Sequence, residues 1–466
     1  MKKSRSSIAS RLFTAHAPLA ALGLKLRSLK IFETITQHVH IKQKTIKHTP
    51  VEKLTDAFIA ILSGAHGLCE INTRVRTDTA LQRAFGRESC AEQSVVQETL
   101  SACTAENVAQ MEHAMDELFR THSQAFGHDY QAGLQLLDVD MSGLPCGPQA
   151  EHAAYGYFGR DNIRYGRQMG RIVASHYEEV VVDRVYPGNL QLRDTLPHLI
   201  EAAEKTLELD EAKRARTVLR MDAGGGNFNN VHYLLKRGYH IHCKDYSAKR
   251  AANLSKYVRQ WFVNPQHPDR QLGWIVAGSA GYVRGVERLV MKWRKKNGQT
   301  CHHILISTLQ PADVWQLLGQ PSEMVDDTQA VAIAYAKLYD LRGGTIEIEL
   351  KESKQGFGLT KRNKKSYSGQ QMVMLLGQLA HNVIVWAKEW LVADAPKLKR
   401  YGVARMVRDV LQVSGFLELE AAGKIKRIVL NQAAALARHC AKSWQGLLKH
   451  EQVHVILGET VRHEVA

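Results

Sequence analysis

Leu134-Gln-Leu-Leu-Asp-Val-Asp140 decides the reading of this chain. It is a short, mostly apolar run that finishes on two acids, the pattern of a buried strand delivering carboxylates to its end. Asp138 and Asp140 flank Val139, so in a strand both project to the face opposite Val139. The segments that follow have the same texture. Gly170-Arg-Ile-Val-Ala-Ser-His176 and Glu179-Val-Val-Val-Asp-Arg-Val-Tyr186 read as strands, and Leu192–Leu209 as an amphipathic helix. Thr217-Val-Leu-Arg-Met-Asp222 reads as a strand ending in an acid, followed by Gly224-Gly-Gly226. A helix through His232–Lys236 leads to a strand at Tyr239–Cys243. Strands alternating with helices predict an α/β core.

Further out, residues 256–330 are mixed, with Trp261, Trp274, Trp293, Trp315 and the basic stretch Met291-Lys-Trp-Arg-Lys-Lys296. They read as a mostly-β insertion. Helix returns at Gln329–Tyr339 and again from about Ile346, running through Gln370–Leu391. Upstream, residues 51–128 read as helices, with Leu54, Phe58, Ile61 and Leu62 at helical spacing. Thr79–Gly86 and Ser94–Leu100 are two short helices around a Gly turn, a pattern shared by helix-turn-helix motifs and by plain helical packing. Residues 1–50 hold ten Lys/Arg and one acid, Glu33, which predicts a flexible or lightly ordered basic arm. Residues 396–466 read as helical and basic.

The organisation expected is therefore a basic arm (1–50), a helical DNA-binding domain (51–128) and a first part of a catalytic core (129–255). The insertion (256–330), a second part of the core (331–395) and a C-terminal helical region (396–466) follow.

Composition narrows the function. The 466 residues carry 62 Lys+Arg against 46 Asp+Glu, a net charge of +16, which suits a polyanionic partner. The seven cysteines include no CxxC pair, against a disulfide scaffold or a structural zinc site and in favour of a reducing cytosol. No apolar run reaches the roughly 20 residues that span a bilayer. Lys2, Lys3, Arg5 and Arg11 ahead of Ala17–Leu24 have some character of a targeting peptide, but Pro18 and further basic residues favour a nucleic-acid-binding arm.

Three acids carry the chemistry. Asp140 ends one strand, Asp222 ends another, and Glu347 begins a helix. Carboxylates at strand ends of one sheet converge on a common edge, and hard divalent cations such as Mg2+ take oxygen ligands while keeping positions open for water and phosphate. Two such ions clamp the attacking and leaving oxygens of an in-line phosphoryl transfer. Glu347, Lys351 and Lys354 are spaced i, i+4, i+7 and share a helix face, the acid for metal and the lysines for phosphate; the plainer reading is a solvated Glu–Lys pair.

In order along the chain these segments resemble the DDE transposases of bacterial insertion sequences, in the branch with a Tyr-x2-Arg-x3-Glu-x6-Lys signature, and within it the IS thirteen-eighty group. Tyr339-Asp-Leu-Arg342 matches Tyr-x2-Arg, and Glu347 to Lys354 matches Glu-x6-Lys with Lys351 also in place. Four residues, Gly343-Gly-Thr-Ile346, separate Arg342 from Glu347, where the family has three. Leu137-Asp-Val-Asp-Met-Ser142 resembles the first-acid motif, Val218–Gly224 the second, and Tyr186-Pro-Gly-Asn189 the turn between them. Asp138 competes with Asp140 as first acid; Ser142, two residues on, favours Asp140.

The resemblance covers about residues 50–450. It implies an RNase H-like core interrupted by the insertion, with Asp140, Asp222 and Glu347 as catalytic metal ligands and Tyr339, Arg342, Lys351 and Lys354 on DNA. It further implies Mg2+, with Mn2+ as substitute, and double-stranded DNA partners, both element ends and target. A homodimer in the DNA complex and a cytoplasmic, nucleoid-associated location complete the expectation. Related enzymes stack a flipped base on an aromatic; Trp274 and Trp315 are candidates, though each reads more simply as core.

Two other functions compete. Val218–Asp245 also resembles the opening of a Rossmann-like S-adenosylmethionine-dependent methyltransferase, with Gly224–Gly226 near the cofactor and Asp245 on the ribose. That leaves Asp140 and the Glu347 helix unexplained. A non-enzymatic helix-turn-helix DNA-binding protein accounts for the basic arm and nothing past residue 130.

Overall fold

Apolar strand runs bury on both faces only when helices or further strands cover them, and that requirement organises the chain. The computed structural model describes residues 8–45, 47–159, 162–276, 281–295, 297–320 and 326–458. The chain forms two compact units. The first draws on Met1–Ser123, Cys146–Glu151 and Glu349–Ala466, the second on Gln124–Pro145 and His152–Ile348.

The first unit begins with β1 (Ser10–Thr14), followed by helices Ala17–Ser28 and Ile31–His38. This corrects the expectation of a flexible arm over 1–50. Leu19, Ala20, Ala21, Leu22, Leu26 and Ile31 are fully buried. The basic count of this stretch hides an apolar stripe large enough to fold it. Lys2, Lys3 and Arg5 lie outside the described residues. Helix Pro50–Leu62 starts from a capping box in which Thr49 and Glu52 satisfy each other's backbone N–H groups. Helices Thr79–Ala84 and Gln93–Ala102 pack on different neighbours, the former on β1 and the Ala17–Ser28 helix, the latter on Pro50–Leu62 and Tyr367–Val392. That is helical core packing rather than a helix-turn-helix pair. Helix Tyr367–Val392 is buried along almost its whole length, with Gln378, His381, Asn382 and Lys388 buried among its apolar residues. Among the described residues no helix is long and apolar enough to cross a membrane.

The second unit is built on a ten-stranded sheet. β2 (Gln135–Pro145) takes up the opening stretch; β3 (Ala154–Tyr157), β4 (Ile163–Ala174) and β5 (Glu179–Pro187) follow. β4 lies antiparallel to β2 on one edge and to β5 and β3 on the other. Helix Leu192–Leu207 crosses to β6 (Thr217–Met221), parallel to β2, and helix Phe228–Lys236 crosses to β7 (His240–Lys244), parallel to β6. The stretch read as an insertion supplies β8 (Phe262–Asn264), β9 (His267–Trp274), β10 (Glu287–Arg294) and β11 (Thr300–Ser307). These form an antiparallel meander that continues the same sheet, because β11 pairs with β7.

Helix Thr328–Asp340 covers one face of this sheet and opens on Asp327, whose carboxylate accepts from the Gln329 and Ala330 N–H groups. Beneath it lies a core that includes Leu136, Val218, Leu305, Trp315 and Tyr335, with Trp274 packed against it. Both tryptophans considered for base stacking thus belong to core packing.

Through this core runs a polar row. Asp138, Arg220, His242 and Ser307 stand side by side on β2, β6, β7 and β11, each at most 1% exposed. Arg220 grips Asp138 with two hydrogen bonds, at 2.6 and 2.7 Å, and Ser175 and Thr345 donate to the same carboxylate. His242 Nε2 lies 3.0 Å from the Tyr335 carbonyl and Nδ1 3.0 Å from Ser307 Oγ. Burial and the neighbouring Arg220 push its pKa down to about 3, so it is neutral. Nε2 therefore donates to the carbonyl, and Nδ1 accepts from the Ser307 hydroxyl.

The chain ends back in the first unit with β12 (Gly415–Leu419), β13 (Ile425–Asn431) and β14 (His454–Gly458), which order with β1 as β1-β12-β13-β14. The C-terminal region is therefore not all helical as expected; among the described residues Ala437–Leu447 is the only long helix there. Its strands are five to seven residues long, too short to show a clear period within basic sequence.

Candidate active site at the strand ends

Side chains two residues apart on a strand share a face, so the row of Asp138, Arg220 and His242 fixes what stands beyond it. Asp140 lies two residues past Asp138. Asp222 and Lys244 directly follow the register pair Met221 and Cys243. Two carboxylates and one ammonium thus meet where β6 and β7 end; Asp140, expected to end its strand, stands within β2, which runs on to Pro145 along β4, one residue past the last β2–β6 pair, Val139 and Met221.

The two acids of β2 have different fates. Asp138 is fully buried and spent on Arg220, Ser175 and Thr345. Asp140 is at the rim, its side chain 18% exposed, with Oδ2 2.7 Å from Arg342 Nη2. Burial pushes its carboxyl up to about 6; Arg342 opposes the shift and the negative charge of Asp222 adds to it. Asp222 Oδ1 accepts from the Gly224 N–H at 2.8 Å, so the glycine loop fixes the second acid. Glu347 sits in the first turn of helix Ile346–Gly356 with its side chain 60% exposed, and its Oε1 is 3.3 Å from Arg342 Nη1.

Arg342 therefore joins Asp140 to Glu347. It sits in the tight turn Leu341–Gly344 between two helices, is 3% exposed, and also donates to the Val139 carbonyl. Burial works against its charge, but Asp140, Tyr339 and Asp222 outweigh that, and its pKa is raised. Tyr339, expected with Arg342 on DNA, is 6% exposed, and the Lys244 ammonium lies 4.4 Å from its ring centroid. Both residues are thus held within the carboxylate cluster rather than displayed on the surface. Lys351 and Lys354 continue the Glu347 helix; Lys351 is exposed and Lys354 half-buried.

Among the described residues no three His, Cys, Asp or Glu side chains are gathered closely enough to hold one metal ion. The cation that Asp140 and Glu347 share is the Arg342 guanidinium. The donor set itself, carboxylate oxygens with two acids repelling each other, suits a hard divalent cation.

The glycines after Asp222 have a packing role of their own. A Cβ at Gly226 would stand 1.7 Å from the Lys244 carbonyl oxygen, so only glycine lets this loop lie against β7. Gly226→Ala is expected to destabilise the second unit by at least about 1–3 kcal/mol through that clash; an unchanged melting temperature would contradict it. Asp245, the ribose ligand of the methyltransferase reading, is 5% exposed and bound by Arg250 at 2.6 and 2.9 Å. Both glycine and acid are thus accounted for without a nucleotide cofactor.

Among solved structures, one titled as a piggyBac transposase synaptic complex with hairpin DNA is loosely similar to the chain. The two are 10% identical with a TM-score of 0.40, over 87% of this chain and 84% of that one. No family model matches the chain, and no curated protein does. The reading of the site rests on its own geometry.

Sequence reasoning missed Lys244 and the bridging position of Arg342. For Lys244 a signal existed: His240, His242 and Lys244 alternate with Ile241 and Cys243, which places the lysine on the same face as the acids once β6 and β7 are taken as parallel neighbours.

Proposed function

We propose that this chain is a DDE transposase, which binds element-end DNA and carries out metal-dependent strand cleavage and strand transfer. The observation that carries the reading is that Asp140 and Asp222 each directly follow the last register pair, Val139 and Met221, of two parallel strands, with Glu347 tied to Asp140 through Arg342. The strand pattern supports it. Three antiparallel strands in sequence, β2, β4 and β5, are followed by β6 and β7 parallel to β2 on its other side, the arrangement expected of an RNase H-like core.

In this reading Asp140, Asp222 and Glu347 hold Mg2+ or Mn2+, which when bound supplies Lewis-acid polarisation of the phosphoryl group and a more acidic water. Asp222 is oriented by the Gly224 N–H. Asp140 must give up its share of Arg342 to serve as a ligand. Arg342, freed in part, remains beside the reacting phosphate as a fixed positive charge. Lys351 and Lys354 bind DNA phosphates near the cut, and the protein works as a homodimer on paired ends.

The test is incubation of the full chain with DNA carrying the flanking element ends and Mg2+ or Mn2+. Cleavage at the ends that stops with EDTA is expected, with no calorimetric binding of S-adenosylmethionine. An absence of cleavage with either metal, together with S-adenosylmethionine binding in the micromolar range, would overturn the reading in favour of the methyltransferase.

A further inference from the structure

We infer that Lys244 is a phosphate-binding residue of this centre, its ammonium taking a non-bridging oxygen of the DNA phosphate held beside Asp140 and Asp222; the inference rests on the transposase reading above. Lys244 closes β7 directly after the register pair Met221 and Cys243, and so stands next to Asp222 in the row of strand ends. Its side chain is half-buried, and its ammonium lies over the Tyr339 ring. Four charges face it: Asp222, Asp340, Arg270 and Arg342.

Neither carboxylate takes it as an ion-pair partner. Asp340 is bound by Arg270, and Asp222 accepts from the Gly224 N–H. Among the described residues no carboxylate stands within 4.0 Å of the Lys244 ammonium, whereas the half-buried Arg270 beside it holds Asp340. Taking an ammonium partly out of water without a counter-ion costs free energy unless an anion completes the site. The surroundings specify which anion. A carboxylate ligand would meet Asp140 and Asp222, whereas a phosphodiester that arrives with divalent cations brings its own neutralisation. Gly226 fixes the backbone of Lys244 from the other side, since its loop touches the Lys244 carbonyl. Backbone and ring together leave the ammonium little freedom, the preorganisation that makes a fixed charge effective as negative charge grows in a transition state.

The experiment compares single-turnover cleavage of element-end DNA by wild type, Lys244→Met and Lys244→Arg, with DNA affinity and melting temperature recorded for each. Lys244→Met keeps the stem over Tyr339 and removes the charge, and it is expected to slow cleavage about 100-fold. Its Kd for the whole DNA should change by less than about tenfold, because one contact among many is lost. Lys244→Arg should recover at least about a tenth of the wild-type rate. Cleavage by Lys244→Met at the wild-type rate would overturn the inference. So would equal losses in both variants that follow a common fall in melting temperature, since that marks a packing role. A wild type that fails to cleave would instead refute the transposase reading, and this inference with it.

Discussion

Asp222→Ala should abolish strand cleavage, with a fall on the order of a thousand-fold or more, while leaving DNA affinity largely intact. The carboxylate stands at the end of β6, held by the Gly224 N–H, and makes no ion pair among the described residues, so its removal leaves no buried cation unpaired. Glu347→Ala should behave alike. Asp140→Ala should match the loss of activity and also lower stability, because it takes from the buried Arg342 its 2.7 Å carboxylate partner and leaves only the longer contact to Glu347. Gel-resolved cleavage and filter binding on the same DNA read both quantities. Full cleavage by the Asp222 or Glu347 variant would sink the assignment of the centre.

Arg220→Ala should have the second largest effect, on folding instead of chemistry. It strands Asp138 in the core as an unpaired charge, which costs about 3–5 kcal/mol. For a unit of this size the melting temperature should fall by roughly 10 °C. Asp138→Ala should be damaging in the same way by leaving Arg220 unpaired. Asp138→Leu combined with Arg220→Met should recover much of the loss, because a buried ion pair exchanged for well-packed apolar residues is often close to neutral. A melting temperature within 2 °C or so of wild type for Arg220→Ala would show that the polar row does not hold the sheet and the Thr328–Asp340 helix together. Comparing Asp138→Ala with Asp140→Ala also separates the two acids of β2: the first should show the larger fall in melting temperature, since Arg220 has no second carboxylate among the described residues, and the second the larger loss of cleavage relative to its loss of stability, since Arg342 keeps Glu347.

Legibility followed the physical strength of each signal. β2, β5 and β6 are near-continuous apolar runs because helices or strands bury both their faces, and such runs stand out in a sequence. The acids Asp140 and Asp222 were visible for the same reason, as charges at the end of apolar stretches, although β2 itself runs on to Pro145. The choice between Asp138 and Asp140 was not, since alternation puts both on one face and only the neighbouring strand, carrying Arg220 opposite Asp138, separates them. The folded N-terminus was missed because charge counting averages over faces, whereas Leu19, Leu22 and Leu26 share one. The short strands β12 to β14 were missed because five to seven residues carry too little periodic signal to stand out in basic sequence. Arg342 read as a surface contact because its motif places it near DNA, yet nothing local shows that the turn Leu341–Gly344 would fold it beneath the carboxylates.

The pairing of β1 with β12 has a consequence for how the protein is made. Ser10 lies opposite Leu419, about 400 residues later, so at roughly 5–20 residues per second the first strand leaves the ribosome some 20–80 s before its partner exists. The Ala17–Ser28 helix waits with it, because it packs on β12, β13 and the Ala437–Leu447 helix. The second unit faces no such delay, its chain being contiguous apart from Cys146–Glu151. Translation that stops before residue 415 therefore yields a chain without β12 to β14 and the Ala437–Leu447 helix, whose N-terminal apolar stripe keeps only the cover of the Ile31–His38 and Thr79–Ala84 helices, a ready substrate for chaperones and proteases.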